Sequence, residues 1–369
     1  MADPICLSLS GAVLPDTMEP KRRHARKGDR QTPHYLETYD RSTLFYDCVY
    51  QEDAGHYLFT APRFLNLWAE FRDRIRYNGE PVRDLKRRRT PKYEQVLLSA
   101  PLGEMALDLP GGAHPIVPRL DISDMFAGLN AVVTMNKDND LSWVRDWLLY
   151  LVTQHGLEAV LIFDNGSRDY PLEALADAMA GVDGIKAAAV VLADFPYGPR
   201  DSGQGFELRP KFLQPAVINI ARTDILRKSR AVLGVDIDEV VLRRGGDSVF
   251  DRAVKTWAGA VKIRGAWAYP SADDPLPCGH GKHINRIADD HASPKKWCAV
   301  PQGRLSRLGW FVHHVGGSIF QTLPTTTDCE FVHCRATSTG WKGSGRYALP
   351  DGLERDPELV TLMAQYFET

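Results

Sequence analysis

The chain has 369 residues, 44% apolar and 25% charged, enough for a substantial core in one large domain or two. Its 45 Lys and Arg against 47 Asp and Glu leave a formal charge of -2, so no whole-chain field directs it to nucleic acid and any anion must be met locally. No run approaches the roughly 18 apolar residues of a membrane span, and six scattered cysteines do not read as a disulfide framework, which fits a reducing, cytoplasmic compartment.

Residues 1–35 are rich in Pro, Lys, Arg and His with little periodicity, which predicts a mobile tail. A short apolar segment precedes the basic run, the reverse of a secretory signal. The run Lys21 to Arg30 reads as solvated; its alternative is peripheral contact with an anionic membrane face, where clustered cations gain roughly 1 kcal/mol each. From 36 to 127, short alternating segments such as Ser42 to Tyr50 and Tyr93 to Leu98 surround one predicted helix, Arg63 to Tyr77. That pattern predicts a small β-rich accessory domain, with Lys86 to Arg89 as a solvated loop.

The region 128–345 alternates strand and helix. Ala131 to Met135 reads as a strand, Leu141 to His155 as a helix stopped by Gly156, and Ala159 to Phe163 as the next strand. Pro171 to Met179 follows as helix, Ile185 to Leu192 as strand, Lys211 to Lys228 as helix and Ala231 to Ile237 as strand. Such alternation predicts an α/β fold, a Rossmann-like, mostly parallel sheet with helices on both faces, and residues 346–369 read as a helical tail. Ligands of these sheets bind outside the carboxyl ends of the strands.

Two stretches place carboxylates at that edge. In Gly234-Val-Asp-Ile-Asp-Glu-Val-Val-Leu242, side chains two apart on a strand share a face, so Asp236 and Asp238 are expected to converge. Paired carboxylates repel and are costly to desolvate, and a hard divalent cation such as Mg²⁺ resolves the conflict while meeting a substrate diphosphate. In Phe163-Asp-Asn-Gly-Ser-Arg-Asp169, Asp164 follows a buried strand directly, where a carboxylate can accept from a ribose hydroxyl or a base N–H.

The order Asn136-Lys-Asp-Asn-Asp140, then Phe163 to Asp169, then Val235-Asp-Ile-Asp-Glu239 resembles the family 2 glycosyltransferases of the GT-A fold, in a branch also similar to family 92. The likeness covers about 130 to 242 and thins afterwards; Lys137 stands where the family usually has an acid. It implies sugar transfer, with inversion, from a nucleotide-sugar donor of the uridine type to a glycan or lipid-linked acceptor in surface polysaccharide synthesis. It further implies that Asp236 and Asp238 hold Mn²⁺ or Mg²⁺, that Asp164, with Asp169 nearby, contacts the nucleoside, and that Glu239 orients the loop or meets the acceptor. A metal there stabilises the departing diphosphate as a Lewis acid.

Further candidates are Asn219 and Arg222 on the helix before the acidic stretch, either of which could be presented to the donor, although a plain packed helix is the favoured reading. An inverting transfer needs a general base, for which Asp290 is favoured and Asp274 comes next. His333 is favoured over His313 as a third metal ligand, since a late histidine often completes the shell in GT-A enzymes. Lys342 and Arg346, among glycines, suit a loop closing over the donor's phosphates. Cys278-Gly-His-Gly-Lys-His283 lacks a second ligand pair at zinc spacing. Rival functions are a nucleotidyltransferase acting on a sugar phosphate, which wants a Gly-rich basic loop after the first strand, and a non-catalytic glycan-binding module.

Overall fold

The computed structural model describes residues 3–200, 210–288, 290, 292–323, 325–337 and 347–367, arranged as two compact units. The first unit comprises Met1–Leu7, Ser123–Val191 and Leu226–Thr369, and the second Ser8–Ile122 with Leu192–Ile225.

The first unit is α/β. Nine strands form its sheet: β1 (Ile5–Ser8), β2 (Asn130–Asn136), β3 (Ala159–Asp164), β4 (Ala187–Leu192), β5 (Ala231–Gly234), β6 (Glu239–Arg243), β7 (Ala260–Ala268), β8 (Ser293–Ala299) and β9 (Thr325–Cys334). Their spatial order is β1-β4-β3-β2-β5-β8-β7-β9-β6. Strand β2 runs parallel to both β3 and β5, so the carboxyl ends of these strands share one edge, with Asn136 directly opposite Asp164. Strand β8 then pairs antiparallel with β5 and β7, β7 runs parallel to β9, and β9 pairs antiparallel with β6.

Covering both faces of the sheet turns its central strands into continuous apolar runs: every residue from Ala159 to Asp164 is buried, as is every residue from Ala131 to Asn136. Helix Leu141–His155 forms where its periodicity predicts. The Asp140 side chain accepts the Ser142 N–H at its start, and Gly156, at φ 68°, closes it in the left-handed conformation. At the C-terminus, helix Pro357–Tyr366 is capped by Asp356 and sends Leu359 and Met363 into the same core.

The second unit is β-rich. One antiparallel sheet orders Asp47–Gln51, His56–Pro62, Tyr93–Ser99 and Leu85–Arg89; another orders Gly112–Ile116, Met105–Leu109, Ile75–Tyr77 and Glu80–Pro81. The basic run Lys86 to Arg89 thus lies on a strand instead of a loop, and Arg87 pairs with Glu94 at 2.5 Å. The predicted helix from Arg63 is Leu67–Arg74, giving way to strand Ile75–Tyr77.

Where a tail is expected, the described residues are packed. Ile5–Ser8 supplies an end strand of the large sheet, and Arg22 is fully buried. Its guanidinium donates to the carbonyls of Arg63 and Asp40 and pairs with the Asp40 carboxylate at 3.2 Å. A buried guanidinium is tolerated when its donors are met in this way. The predicted helix Lys211 to Lys228 forms as Leu213–Ile220, runs on as a π-helical turn, Ala221–Ile225, and belongs to the second unit.

Candidate functional site

Asn136 and Asp164 end adjacent parallel strands, and their side chains meet: Asn136 Nδ2 donates to Asp164 Oδ2 at 2.7 Å. Asp164 also accepts from the Ser167 hydroxyl at 2.6 Å and from the Ser167 N–H at 2.7 Å. Asp138, held at φ 50°, accepts from the backbone of Arg168 and Asp169, and Tyr170 donates to the carbonyl of Asn139. Asp and Asn adopt that left-handed conformation at modest cost. The two loops after β2 and β3 are thereby stitched into one rim.

This geometry corrects the expected role of Asp164. The residue is fully buried, and both carboxylate oxygens are engaged inside the loop, so it builds the rim from below instead of facing a nucleoside. Asp169, by contrast, is exposed on that rim.

The acidic stretch is a turn. Strand β5 ends at Gly234, the Glu239 N–H donates to the Asp236 carbonyl at 3.0 Å, and β6 begins at Glu239, so the same-face strand argument for Asp236 and Asp238 does not apply. Each side of the turn is held by a different strand: Gly234 lies opposite Trp297 of β8, and Glu239 opposite His333 of β9. From β8 comes Lys296, whose ammonium lies 2.9 Å from Asp236 Oδ2 and 2.9 Å from Glu239 Oε2. Glu239 Oε2 additionally accepts the Asp236 N–H at 2.9 Å. Burial opposes the charge of Lys296, yet the two acids outweigh it and hold its pKa above the ordinary value. Burial raises the pKa of Glu239, with Lys296 the largest influence in the other direction.

On the other side of the turn stands His333. Its Nε2 is 3.5 Å from Asp238 Oδ2 and its Nδ1 is 3.6 Å from Glu239 Oε1. The Ser293 hydroxyl lies 3.1 Å from Nδ1, and the Trp267 ring stacks on the imidazole at 4.2 Å with an interplanar angle of 19°. Among the described residues, Asp238, Glu239 and His333 form the cluster able to hold a metal ion, with one ligand atom of each within 4.8 Å of the others. Two carboxylates and an imidazole are a donor set that suits Mn²⁺ or Mg²⁺, the imidazole favouring the former.

Behind the turn, His280 is buried; its Nε2 lies 2.8 Å from the carbonyl of Ile237, and burial pushes its pKa down to about 4. His283 packs similarly against the carbonyls of Arg335 and Gly279. The Cys278 to His283 motif therefore buttresses the acidic turn.

The remaining candidates scatter. Asn219 and Arg222 are buried in the second unit, where Asn219 Oδ1 accepts from the Tyr93 hydroxyl at 2.8 Å and from Arg222 Nε at 2.9 Å. They serve that unit's packing, as the packed-helix reading expects, and the candidate donor contacts there are corrected. Asp274 accepts the Ser271 N–H at 2.8 Å within its own turn, and Asp290 accepts from the Tyr269 hydroxyl at 2.6 Å. His313, between two short strands, Trp310–Phe311 and His314–Val315, interacts with Lys296 and Asp236, and burial pushes its pKa down to about 4. Lys342 and Arg346 lie outside the described residues. Sequence reasoning missed Lys296, Ser293 and the pairing of Trp267 with His333; a lysine beside Trp297-Cys-Ala in a buried strand is the signal that could have revealed the first.

No family model matches the chain, and no curated protein does. Among solved structures, the mannosyltransferase Ktr4p from S. cerevisiae in complex with GDP is similar over 42% of this chain and 45% of its own, at 12% identity and a TM-score of 0.25. A likeness of that degree fixes neither fold detail nor activity.

Proposed function

We propose that the chain is a metal-dependent glycosyltransferase that moves a sugar from a nucleotide-sugar donor, a UDP-sugar by its motifs, to a glycan or lipid-linked acceptor with inversion. The supporting observation is the acidic cluster of Asp238, Glu239 and His333 beside the carboxyl ends of β5, β2 and β3. Open α/β sheets bind ligands at that edge.

When bound, Mn²⁺ or Mg²⁺ supplies Lewis-acid stabilisation of the leaving diphosphate. The chain's own residues do the rest. The rim built on Asn136 and Asp164 presents Asp169 to the nucleoside end of the donor, and the acidic turn with His333 faces the diphosphate. Asp290, positioned by Tyr269, takes the acceptor hydroxyl's proton as its oxygen bonds to the anomeric carbon. The bond from that carbon to the diphosphate breaks, and its electron pair leaves with the nucleotide.

The test is nucleotide release from a panel of UDP-, GDP- and dTDP-sugars, with and without Mn²⁺, by the wild type and Asp238→Ala. Release by the wild type alone, abolished by a chelator, supports the reading. Release that ignores both the chelator and Asp238→Ala, or none with any donor, overturns it.

A further inference from the structure

We infer that Lys296 is a built-in counter-ion that withdraws Asp236 from metal binding, so that the acidic turn takes one divalent cation through Asp238, Glu239 and His333. The inference rests on the site reading above and refines which carboxylates face the ion.

Asp236, Asp238 and Glu239 lie within four consecutive residues, and like charges so close disfavour one another's ionisation. Lys296 answers that repulsion from inside the protein. Its side chain is 2% exposed, and its ammonium is 2.9 Å from both Asp236 and Glu239. A buried ammonium held by two carboxylates is strongly committed, because losing either partner leaves a desolvated charge. Asp236 Oδ2 is thus spent on Lys296, whereas Asp238 turns to the other side, towards His333.

Glu239 serves both sides. Its Oε2 takes Lys296 and the Asp236 N–H, and its Oε1 faces His333. Glu239 is therefore the hinge between a permanently neutralised pair and an ion-ready cluster. When ionised, the three acids carry three negative charges and Lys296 one positive, which leaves two, the charge of a single divalent cation. Lys296 is a positioning residue: it fixes the turn before any ion arrives.

A direct Mn²⁺ titration, read as the paramagnetic resonance of free Mn²⁺, tests this without any turnover. Wild type binds; Asp238→Asn and Glu239→Gln weaken binding by about 30-fold or more, while Asp236→Asn changes it by less than about threefold, given that a lost ligand costs far more than a lost neighbour. A loss in Asp236→Asn as large as in Asp238→Asn overturns the inference and leaves the site reading standing. Absence of Mn²⁺ binding by the wild type overturns both. Should Asp236→Asn not fold, the double variant Asp236→Asn with Lys296→Met carries the test: it removes the ion pair as a unit and leaves the net charge of the turn unchanged, so Mn²⁺ affinity stays within about threefold of the wild type. A loss there as large as in Asp238→Asn overturns the inference.

Discussion

Asn136 and Asp164, the last residues of neighbouring parallel strands, are joined by a 2.7 Å hydrogen bond between their buried side chains. This bond and those to Ser167 make Asp164 the foundation of the rim. Asp164→Ala removes its acceptors and leaves the Ser167 N–H and hydroxyl under-satisfied, while the Asn136 amide keeps the Tyr170 hydroxyl, at a cost of about 2–4 kcal/mol. Urea denaturation should show that loss. Asp169→Ala should cost little stability, since the residue is exposed, and should weaken donor binding instead. Equal stability losses in the two variants would count against the division of roles.

A second expectation concerns the entry to the acidic turn. A Cβ on Gly234 would lie 2.4 Å from the ring of Trp297, which is fully buried and donates its indole N–H to the carbonyl of Phe311. The ring cannot yield, so the backbone must. Gly234→Ala is expected to destabilise the chain by about 1–3 kcal/mol, the range for overpacking. Because the turn that carries Asp238 and Glu239 begins just beyond Gly234 and is closed by the bonds between Asp236 and Glu239, Mn²⁺ affinity should fall along with thermal stability. A variant that melts as the wild type does would refute the close packing.

The alternating architecture was legible because strands covered on both faces are written as unbroken apolar runs, as in Ala159 to Phe163. Helix Leu141–His155 was legible at both ends, through Asp140 and Gly156. The pairing of Lys296 with Asp236 was not. It joins residues 60 apart in sequence, and only the strand register that sets Gly234 against Trp297 brings them together. Asp164 illustrates the same limit from another direction. Its position at a strand end could be read, but whether its oxygens faced a ligand or the protein depended on Asn136 and Ser167. Arg22 looked solvated for want of any local signal that Asp40 and the carbonyl of Arg63 would enclose it.

The choice of base separates Asp290 from Asp274. Asp290 accepts from Tyr269, whereas Asp274 closes a turn on the Ser271 N–H. General bases contribute typically about 10²–10⁴-fold, so Asp290→Asn should lower kcat by about that factor while leaving Mn²⁺ affinity unchanged. Asp274→Asn should leave kcat near the wild-type value. Reversal of the two results would move the base to Asp274.

His155 in the first unit and Asp224 in the second should respond to acid with opposite signs. In the first, burial depresses the pKa of His155 to about 4; its Nδ1 accepts the Val249 N–H, and its Nε2 donates to the carbonyl of Val241. A folded-state pKa below the unfolded value of about 6.5 means that the unfolded chain binds the proton first, so stability is lost as pH falls from about 6.5 to 4, by about 3 kcal/mol. His280, also at about 4, adds in the same direction. The second unit holds Arg119 between Asp47 and Asp224, and burial lifts the pKa of Asp224 to about 6, against the pull of Arg119. Here the folded chain binds the proton first: the contribution of Asp224 is fully present below about pH 4 and is lost as pH rises through about 6. Amide exchange at pH 7 and pH 5 should therefore show helix Leu141–His155 losing protection in acid while strand His56–Pro62 gains it. Asp224→Asn leaves Arg119 with Asp47 alone and should abolish the gain in the second unit without altering the loss in the first. A gain that survives this substitution would assign the proton to another group.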